Sequence, residues 1–423
     1  MNPCFIGTDR SSLRVPREIA ALIKSLHMRK TDVVSLNNLS HQEWTSLLTF
    51  CDLAHLTLVL AQLPMQDFPS WVAERLKVNV ADNAQRFERV KVTYAEAAET
   101  LERAGIDHIL IKGFTQAPDY VNNPRLRMQS DLDLYCQAKT IKSAQIALQT
   151  IGYIPEKEQD YSRADHIPSM IRLGNWKWRE NPFDPEMPLS IELHFCLWNE
   201  TISRFSIPEV ERFWERRIAR DVDGLSFPCL NPADHLGYFT LHILRGILSG
   251  DWIIHHVYEL AIFLHTHATD DTFWKTWRET HTSTLRSFET ISFYYARAWF
   301  GCDLHQQALD DIAALPSSRQ RWLRRFAGSA LEGMFQQNKD YVWLHLSFLD
   351  SPKAKLALLR RVFIPNKIPT TNSPTVRFKN RQLRKSREAH PYIQYLTYIF
   401  ARCASYGYLN MTTILRGLRW RLS

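Results

Sequence analysis

Two short segments of the chain alternate polar and apolar residues and carry acidic side chains at polar positions. Residues 130–135 read Ser-Asp-Leu-Asp-Leu-Tyr, and residues 190–194 read Ser-Ile-Glu-Leu-His. A period of two predicts β-strands with one buried face, because successive side chains point to opposite sides of a strand. Asp131 and Asp133 would then share a polar face, and so would Glu192 and His194.

Asp131 and Asp133 form a candidate metal site. Two carboxylates on one face of a strand repel each other unless a cation lies between them, and such oxygen ligands suit Mg²⁺ or Mn²⁺. If the second strand lies beside the first, Glu192 completes a set of three carboxylates, which can hold two divalent ions about 3.5–4 Å apart. This arrangement suits phosphoryl and nucleotidyl transfer, which depend on positioning and on neutralised charge.

The rest of the sequence is mainly helical, so we predict an α+β fold. One apolar stripe with helical spacing comprises Trp44, Leu47, Leu48, Cys51, Ala54 and Leu58. In chain order the patterns predict helices within 41–104, a strand at 108–111, a helix at 139–151, strands at 167–178 and 189–198, helices from Asn231 to about 350, and a helix at 392–421.

These elements divide the chain into four predicted parts. They are a helical N-terminal region (1–104), a core (105–230), a helical C-terminal domain (231–365) and a basic helical tail (366–423). Trp176 and Trp178 are expected on one face of a core strand, with the alternative that one of them stacks on a base. His255 and His256 are expected inside the helical core.

The charge distribution is uneven along the chain. Residues 351–423 contain 15 Lys and Arg and one acid, whereas residues 1–350 contain 37 basic and 43 acidic residues. The tail is therefore either a surface for anions (nucleic acid, nucleotide or acidic lipid) or an ordinary solvated helical face. The seven cysteines form no C-x-x-C pair, and no run of 18 apolar residues occurs. We therefore predict free thiols, no transmembrane segment and a cytoplasmic location.

Lys112 and Gly113 follow the predicted strand at 108–111 and are candidates for binding phosphate. A glycine lets the backbone approach a phosphate closely, and a lysine offers a point charge. Arg127 either contacts the nucleotide or pairs with the neighbouring aspartates. His194 either orients Glu192 or acts as a general base. His166 either approaches the same site or lies in a surface loop.

The order of these motifs resembles that of the DNA polymerase β-like nucleotidyltransferase superfamily. The chain is most similar to an uncharacterised bacterial nucleotidyltransferase family whose core reads Leu-Lys-Gly, Tyr, Arg, Asp-Ile-Asp and Glu-Leu-His. The matching residues here are Ile111-Lys112-Gly113, Tyr120, Arg127, Asp131-Leu132-Asp133 and Glu192-Leu193-His194. The similarity covers roughly residues 40–365. It departs from the superfamily in the loop, where Gly-Ser or Gly-Gly is usual.

The resemblance implies a polymerase β-like core, a mixed sheet with flanking helices, that transfers a nucleoside monophosphate from an NTP with two Mg²⁺. It implies that Asp131, Asp133 and Glu192 are the catalytic metal ligands. Gly113 would lie in the phosphate loop, and Lys112, Arg127 and His194 would lie at the nucleotide. The acceptor is left open as a protein, a small metabolite or sugar, or RNA bound through the tail.

Two other functional classes fit the same motifs. A catalytically degenerate protein would keep the nucleotide-binding fold without turnover, because a fold does not imply an activity. A sugar-nucleotide glycosyltransferase can also carry an Asp-x-Asp motif. It would need a nucleotide-binding, strand-rich half of about 100 residues before that motif. The helical pattern of residues 41–104 argues against the glycosyltransferase.

Overall fold

The computed structural model describes residues 14–156, 164–172, 174–364 and 391–422. The predicted Pro-broken stretch at 365–374 and the basic segment at 377–387 lie outside these residues. The chain forms two compact units. One comprises Pro16–Leu244 and Ile253–Ala314, and the other comprises Met1–Val15, Arg245–Trp252 and Leu315–Ser423.

Among the described residues, seven strands form one mixed sheet in the first unit, in the spatial order β3-β4-β5-β2-β1-β7-β6. The strands are β1 (Ile109–Ile111), β2 (Asp131–Tyr135), β3 (Tyr153–Pro155), β4 (Met170–Arg172), β5 (Ser190–His194), β6 (Ile218–Val222) and β7 (Leu225–Cys229). With the helices below, this sheet confirms the predicted α+β fold.

Strand β2 lies between β1 and β5 and sets their register. It pairs in parallel with β5, so that Asp133 lies opposite Glu192. It pairs antiparallel with β1, so that Asp133 also lies opposite Ile111. The predicted neighbourhood of the two acidic strands is therefore the one found in the structure.

The apolar face of these strands lies in the core of the first unit. Leu132, Leu134, Ile191 and Leu193 are fully buried there. The same core contains Phe87 and Val90 of one helix and Ala144 and Leu148 of another. Burial of the leucine and isoleucine positions fixes the register, since a shift of one residue would move every carboxylate into the core.

The helices surround the sheet in the first unit and form most of the second unit. They are α1 (Arg17–Ser25), α2 (Val34–Asn37), α3 (His41–Leu53), α4 (Thr57–Leu60), α5 (Ser70–Arg103), α6 (Ile141–Thr150), α7 (Glu200–Ser203), α8 (Pro232–Ser249), α9 (Ile254–Thr266), α10 (Asp271–Thr280), α11 (Ser283–Phe300), α12 (Gln306–Ala313), α13 (Ser317–Phe326), α14 (Ser329–Gly333), α15 (Tyr341–Leu346), α16 (Pro352–Phe363) and α17 (Pro391–Leu422). Short 3₁₀ turns occupy Met65–Asp67, Gly113–Gln116, Pro124–Leu126 and Pro208–Arg216.

Local sequence signals account for several helix ends. Ser40 and Glu43 form a capping box at the start of α3, in which each side chain accepts a hydrogen bond from the other residue's backbone N–H. Asn231 accepts hydrogen bonds from Ala233 and Asp234 at the start of α8, as the Asn-Pro pair predicts. Gly105, just beyond the end of α5, has a φ of 66° that favours glycine.

One predicted strand is much shorter in the structure. Strand β4 ends at Arg172 instead of continuing to residue 178. Trp176 donates its indole N–H to Asp184, and Trp178 is 57% exposed. The prediction that both tryptophans lie on a core strand is wrong, since residues 174–178 form no strand and Trp178 points to solvent.

No helix among the described residues is long and apolar enough to cross a membrane. Among the described residues, the cysteines at positions 51, 136, 229, 302 and 403 are free thiols. The two compact units divide the chain differently from the four predicted parts, which stay a prediction.

Candidate functional site

Three adjacent strands place the predicted polar side chains on one face of the sheet. Asp131 and Asp133 alternate with leucines on β2, and Glu192 and His194 alternate with apolar residues on β5. Because β2 and β5 are parallel and in register, the polar positions of both strands project to the same side. Lys112 follows β1 and reaches this face from the other side of β2.

Asp133 is the centre of the site. Its Oδ1 accepts a hydrogen bond from Lys112 Nζ at 2.5 Å, and it lies 2.8 Å from His194 Nε2. Asp133 and His194 are 3% and 1% exposed, respectively. One carboxylate oxygen thus contacts both a lysine and a histidine away from solvent.

The site carries unbalanced negative charge. Burial, with the charges of Asp133 and Glu192, raises the pKa of Asp131. Burial acts in the same direction on Asp133, but Lys112 and the hydrogen bond from His194 outweigh it and hold the pKa of that carboxyl low. Burial and the charge of Lys112 lower the pKa of His194, so its imidazole is neutral at neutral pH. A further cation would therefore be stabilised here.

Glu192 has its own set of neighbours. Ser169 donates a hydrogen bond to Glu192 Oε1 at 2.9 Å. His166 Nε2 lies 4.0 Å from Glu192 Oε2, so the alternative in which His166 approaches the site is the one observed. His194 Nε2 lies 3.7 Å from Glu192 Oε2, and its Nδ1 lies 3.8 Å from Asp165 Oδ2.

Asp133, Glu192 and His194 each offer a ligand atom to a shared point. These three atoms lie within 4.8 Å of one another. Asp131 is on the same face but lies outside this set of three. The structure therefore brings together two of the three predicted carboxylate ligands and adds an imidazole.

The model of a family described as uncharacterised nucleotidyltransferases matches residues 38–301, which is more than half of the chain. The chain belongs to this family. The resemblance to an uncharacterised nucleotidyltransferase family is confirmed, and membership supports nucleotidyl transfer as the general activity. No curated protein and no solved structure matches the chain.

The side chains of Asp133, Glu192 and His194 fit a divalent ion. Two carboxylates suit Mg²⁺ and Mn²⁺, and an imidazole nitrogen favours a softer ion than Mg²⁺. The excess negative charge around Asp131 and Asp133 also favours a bound cation. An ion held by Asp133, Glu192 and His194 would have to share Asp133 with Lys112 or displace it.

The turn after β1 adopts a rare backbone conformation. Lys112 and Gly113 have φ angles of 59° and 58°, a region that non-glycine residues seldom occupy. A Cβ on Gly113 would lie 2.5 Å from the side-chain nitrogen of Gln129. That nitrogen donates to the carbonyl of Asp131 at 2.8 Å. Gly113 thus leaves room for the Gln129 side chain beside this turn. The predicted contact of Gly113 with phosphate stays a prediction.

Arg127 does not pair with the aspartates. Its Nε donates to Glu259 Oε1 on α9 at 2.8 Å, so the alternative in which it binds Asp131 or Asp133 is wrong. The acidic partner comes from 132 residues farther along the chain. His256 lies beside the pair, with its Nδ1 3.6 Å from Glu259 Oε2, and burial holds the pKa of this histidine well below its usual value.

Sequence reasoning missed several residues that support the site. Arg86 is 1% exposed and donates to the carbonyl of Gln129 at 2.8 Å and to that of Met187 at 2.7 Å. It therefore ties the segments before β2 and β5 to α5. Arg86 lies between Asn83 and Val90 on the buried stripe of α5, and a polar residue on an apolar stripe was the available signal. No comparable signal marks Ser169.

Proposed function

We propose that this protein transfers a nucleoside monophosphate from an NTP to an acceptor hydroxyl on a polymerase β-like core. The observation that carries the proposal is the register of β1, β2 and β5, which gathers Lys112, Asp133, Glu192 and His194 at one point. Family membership supports the same general chemistry. The acceptor is a protein side chain, a small metabolite or sugar, or an RNA 3′ end.

The reaction breaks one phosphoanhydride bond and forms one phosphoester bond. The acceptor oxygen bonds to the α-phosphorus, and the bond from that phosphorus to the bridging oxygen of the β-phosphate breaks. Pyrophosphate leaves with the electron pair, and the acceptor proton passes to a base or to water. When bound, Mg²⁺ or Mn²⁺ would neutralise phosphate charge and lower the pKa of the acceptor hydroxyl.

The residues of the chain have separate roles in this proposal. Asp133 and Glu192, with Asp131 on the same face, would hold the divalent ions. Lys112, which neutralises Asp133 in this structure, is within reach of an incoming phosphate and serves as its counter-charge. Without an ion, His194 orients Asp133 through its Nε2 contact, and with an ion at this point its imidazole would be a third ligand. Arg127 is held by Glu259, and any contact with the nucleotide would be made from that paired position.

The test is transfer of label from each α-labelled NTP, with Mg²⁺ or Mn²⁺ and a cell lysate as the source of acceptor. We expect labelled acceptor with the wild type and a loss of about 10²–10³-fold in Asp133→Asn and Glu192→Gln, because each removes a charge that stabilises the transition state. Glu99→Gln, which changes an exposed carboxylate on α5, is the matched control and should leave transfer unchanged. Transfer that persists in Glu192→Gln would contradict the assignment.

A second function is favoured by the contact between Lys112 and Asp133. A lysine already neutralises the carboxylate that a metal would need, as expected for a nucleotide-binding protein without turnover. Calorimetry with an NTP, with and without Mg²⁺, separates the two functions. Binding that requires Mg²⁺ and is lost in the Asp131→Asn, Asp133→Asn double variant supports the transferase. NTP binding that needs neither Mg²⁺ nor these two aspartates supports a nucleotide-binding protein without turnover.

A sugar-nucleotide glycosyltransferase would need a strand-rich nucleotide-binding half before the Asp-x-Asp motif, and the part of the chain that the structure describes has none there. Residues 41–104 contain α3, α4 and α5 instead of a strand-rich nucleotide-binding half. The first strand of the sheet starts at Ile109, only 22 residues before Asp131. The order of elements therefore favours nucleotidyl transfer.

A further inference from the structure

Helix α17 packs one of its faces inside the second unit. Thr413 and Trp420 are 1% and 7% exposed, and Gly417 lies against the indole of Trp343, where a Cβ would not fit. Tyr406 donates its hydroxyl to the carbonyl of Val362 at 2.8 Å. These contacts define an inner face with helical spacing and fix which side of α17 points outward.

The outward side of α17 carries a row of exposed apolar side chains, which we term the outer stripe. Its members share the spacing of three and four residues that places them in one line. They are Tyr408 (67% exposed), Met411 (54%), Ile414 (43%), Leu415 (46%) and Leu418 (53%). At about 100° per residue, the centre of the outer stripe lies roughly 150° from the inner face. It is therefore a second apolar face on a helix that is already docked by its first.

Basic side chains border the outer stripe, and acids are missing from this helix. Arg419 and Arg421 are exposed and lie at the two edges of the stripe on a helical projection. Residues 391–422 contain no Asp or Glu, and the whole segment 351–423 contains 15 basic residues and one acid. An apolar row between arginines is typical of helices that lie in a membrane interface.

Charge distinguishes the candidate partners. A second copy of α17 would bring arginines against arginines with no acid to neutralise them. RNA would neutralise the arginines through its phosphates but would leave the leucines and the methionine in water. A bilayer with anionic headgroups satisfies both features, since its surface attracts Lys and Arg and its acyl boundary accepts apolar side chains.

We propose that α17 binds the surface of an anionic lipid membrane, with the outer stripe in the headgroup–acyl boundary and Arg419 and Arg421 at the headgroups. No described helix is long and apolar enough to cross a membrane, so α17 would lie in the plane of the interface. The proposal is independent of the nucleotidyl transfer proposed above.

The test is co-sedimentation of the full chain with vesicles of phosphatidylcholine alone and of phosphatidylcholine mixed with phosphatidylglycerol. We expect binding to the mixed vesicles and little binding to phosphatidylcholine, with binding that weakens as salt is raised. The Leu415→Ser, Leu418→Ser variant should lower the partition coefficient at least about tenfold, because it removes two apolar contacts. The Arg419→Gln, Arg421→Gln variant should lower the partition coefficient roughly thirtyfold, because each arginine contributes a factor of about five.

The matched control is Val92→Ser with Ile146→Ser, which removes two exposed apolar side chains outside α17. It should bind the vesicles as the wild type does, and circular dichroism should show that all variants keep their helices.

Equal binding of the Leu415→Ser, Leu418→Ser variant and the wild type would overturn the proposal, as would absence of binding to mixed vesicles. A dimer in sedimentation velocity that the Leu415→Ser, Leu418→Ser variant abolishes would assign the stripe to a second copy instead. RNA binding that depends on the arginines but not on the leucines, without vesicle binding, would assign the tail to nucleic acid.

Discussion

At the scale of single residues, the site is centred on one carboxylate oxygen, Asp133 Oδ1. Asp133 Oδ1 contacts Lys112 and His194, while Glu192 and Asp131 add negative charge nearby. The residue types were visible in the sequence, but their pairing was not. Lys112 was expected to face a phosphate, and in this structure it neutralises Asp133.

Replacement of Gly113 by alanine tests the tight turn after β1. Gly113 and Gly105 both have positive φ, but a Cβ on Gly113 would contact Gln129, whereas a Cβ on Gly105 would meet nothing within 4 Å. We expect Gly105→Ala to lower the free energy of unfolding by about 1 kcal/mol and Gly113→Ala by about 3 kcal/mol. Urea denaturation measures both. Equal losses would mean that Gln129 moves aside without cost.

Replacement of Lys112 by methionine tests the charge balance around Asp133. The buried carboxylate would lose its cation, so without divalent metal we expect the free energy of unfolding to fall by about 3 kcal/mol. The double variant Lys112→Met, Asp133→Asn should recover most of this loss, because no unpaired charge remains. Denaturation of the two single variants and the double variant measures the coupling. Additive losses would argue against a stabilising pair.

At the scale of elements, a buried polar cluster joins the helices that follow the sheet. His281 Nδ1 lies 2.9 Å from Glu289 Oε1 on α11, and its Nε2 lies 3.2 Å from Asp234 Oδ1 on α8. Trp277 on α10 donates to Glu289, and Arg216 donates to Asp234. The cluster fixes α8, α10 and α11 against one another. The Asn-Pro start of α8 was predicted from sequence, but the partner of its Asp234 was not.

The His281 cluster predicts a specific dependence of stability on pH. Burial lowers the pKa of His281, but the charges of Glu289 and Asp234 outweigh it and raise this pKa to about 9. Because the folded-state pKa lies above the unfolded value, the contribution is fully present below about pH 6.5 and is lost as the pH rises through about 9. We expect a loss of up to about 3 kcal/mol across this window.

Urea denaturation at a series of pH values measures this effect. The loss should be absent in His281→Gln, which has no imidazole to titrate. His41→Gln, which changes an exposed histidine on α3, should keep the dependence of the wild type. A wild type and a His281→Gln variant with parallel pH curves would show that His281 does not carry the effect.

At the scale of the whole molecule, the chain contains two compact units that are interleaved in sequence. The sheet and the candidate site lie in one unit, and α13 to α17 lie in the other. In the second unit, Arg416 of α17 lies 2.8 Å from the fully buried Asp340, and Lys339 donates to Asn410 of the same helix. The basic, helical tail seen in the composition is thus partly docked by polar contacts of its own unit.

Two compact units predict an unfolding curve with two transitions, since separate cores need not unfold together. Gly113→Ala should move only the transition of the unit that holds the sheet. Arg416→Gln should move only the other transition, by about 1 kcal/mol, because the arginine side chain is 40% exposed and its charge is partly screened. Denaturation followed by tryptophan fluorescence and by circular dichroism measures both. A single transition moved by both variants would contradict independent units.

The sequence alone determined the local features of this protein. Alternation with a period of two located β2 and β5, and an apolar stripe located α3. These features follow from backbone geometry and from burial within a few residues. The family also followed from short motifs, because nucleotide chemistry restricts residue types at fixed places. The predicted strand through Trp176 was wrong, since β4 ends at Arg172.

Only the tertiary structure decided which distant residues meet. The pairing of Lys112 with Asp133, of Arg127 with Glu259 and of Arg86 with the carbonyl of Gln129 depends on side chains from different elements. Charges that are far apart in the chain find one another through the packing of the apolar faces, which a one-dimensional pattern does not record. For the same reason, the second apolar face of α17 became visible only once its first face had been placed in a core.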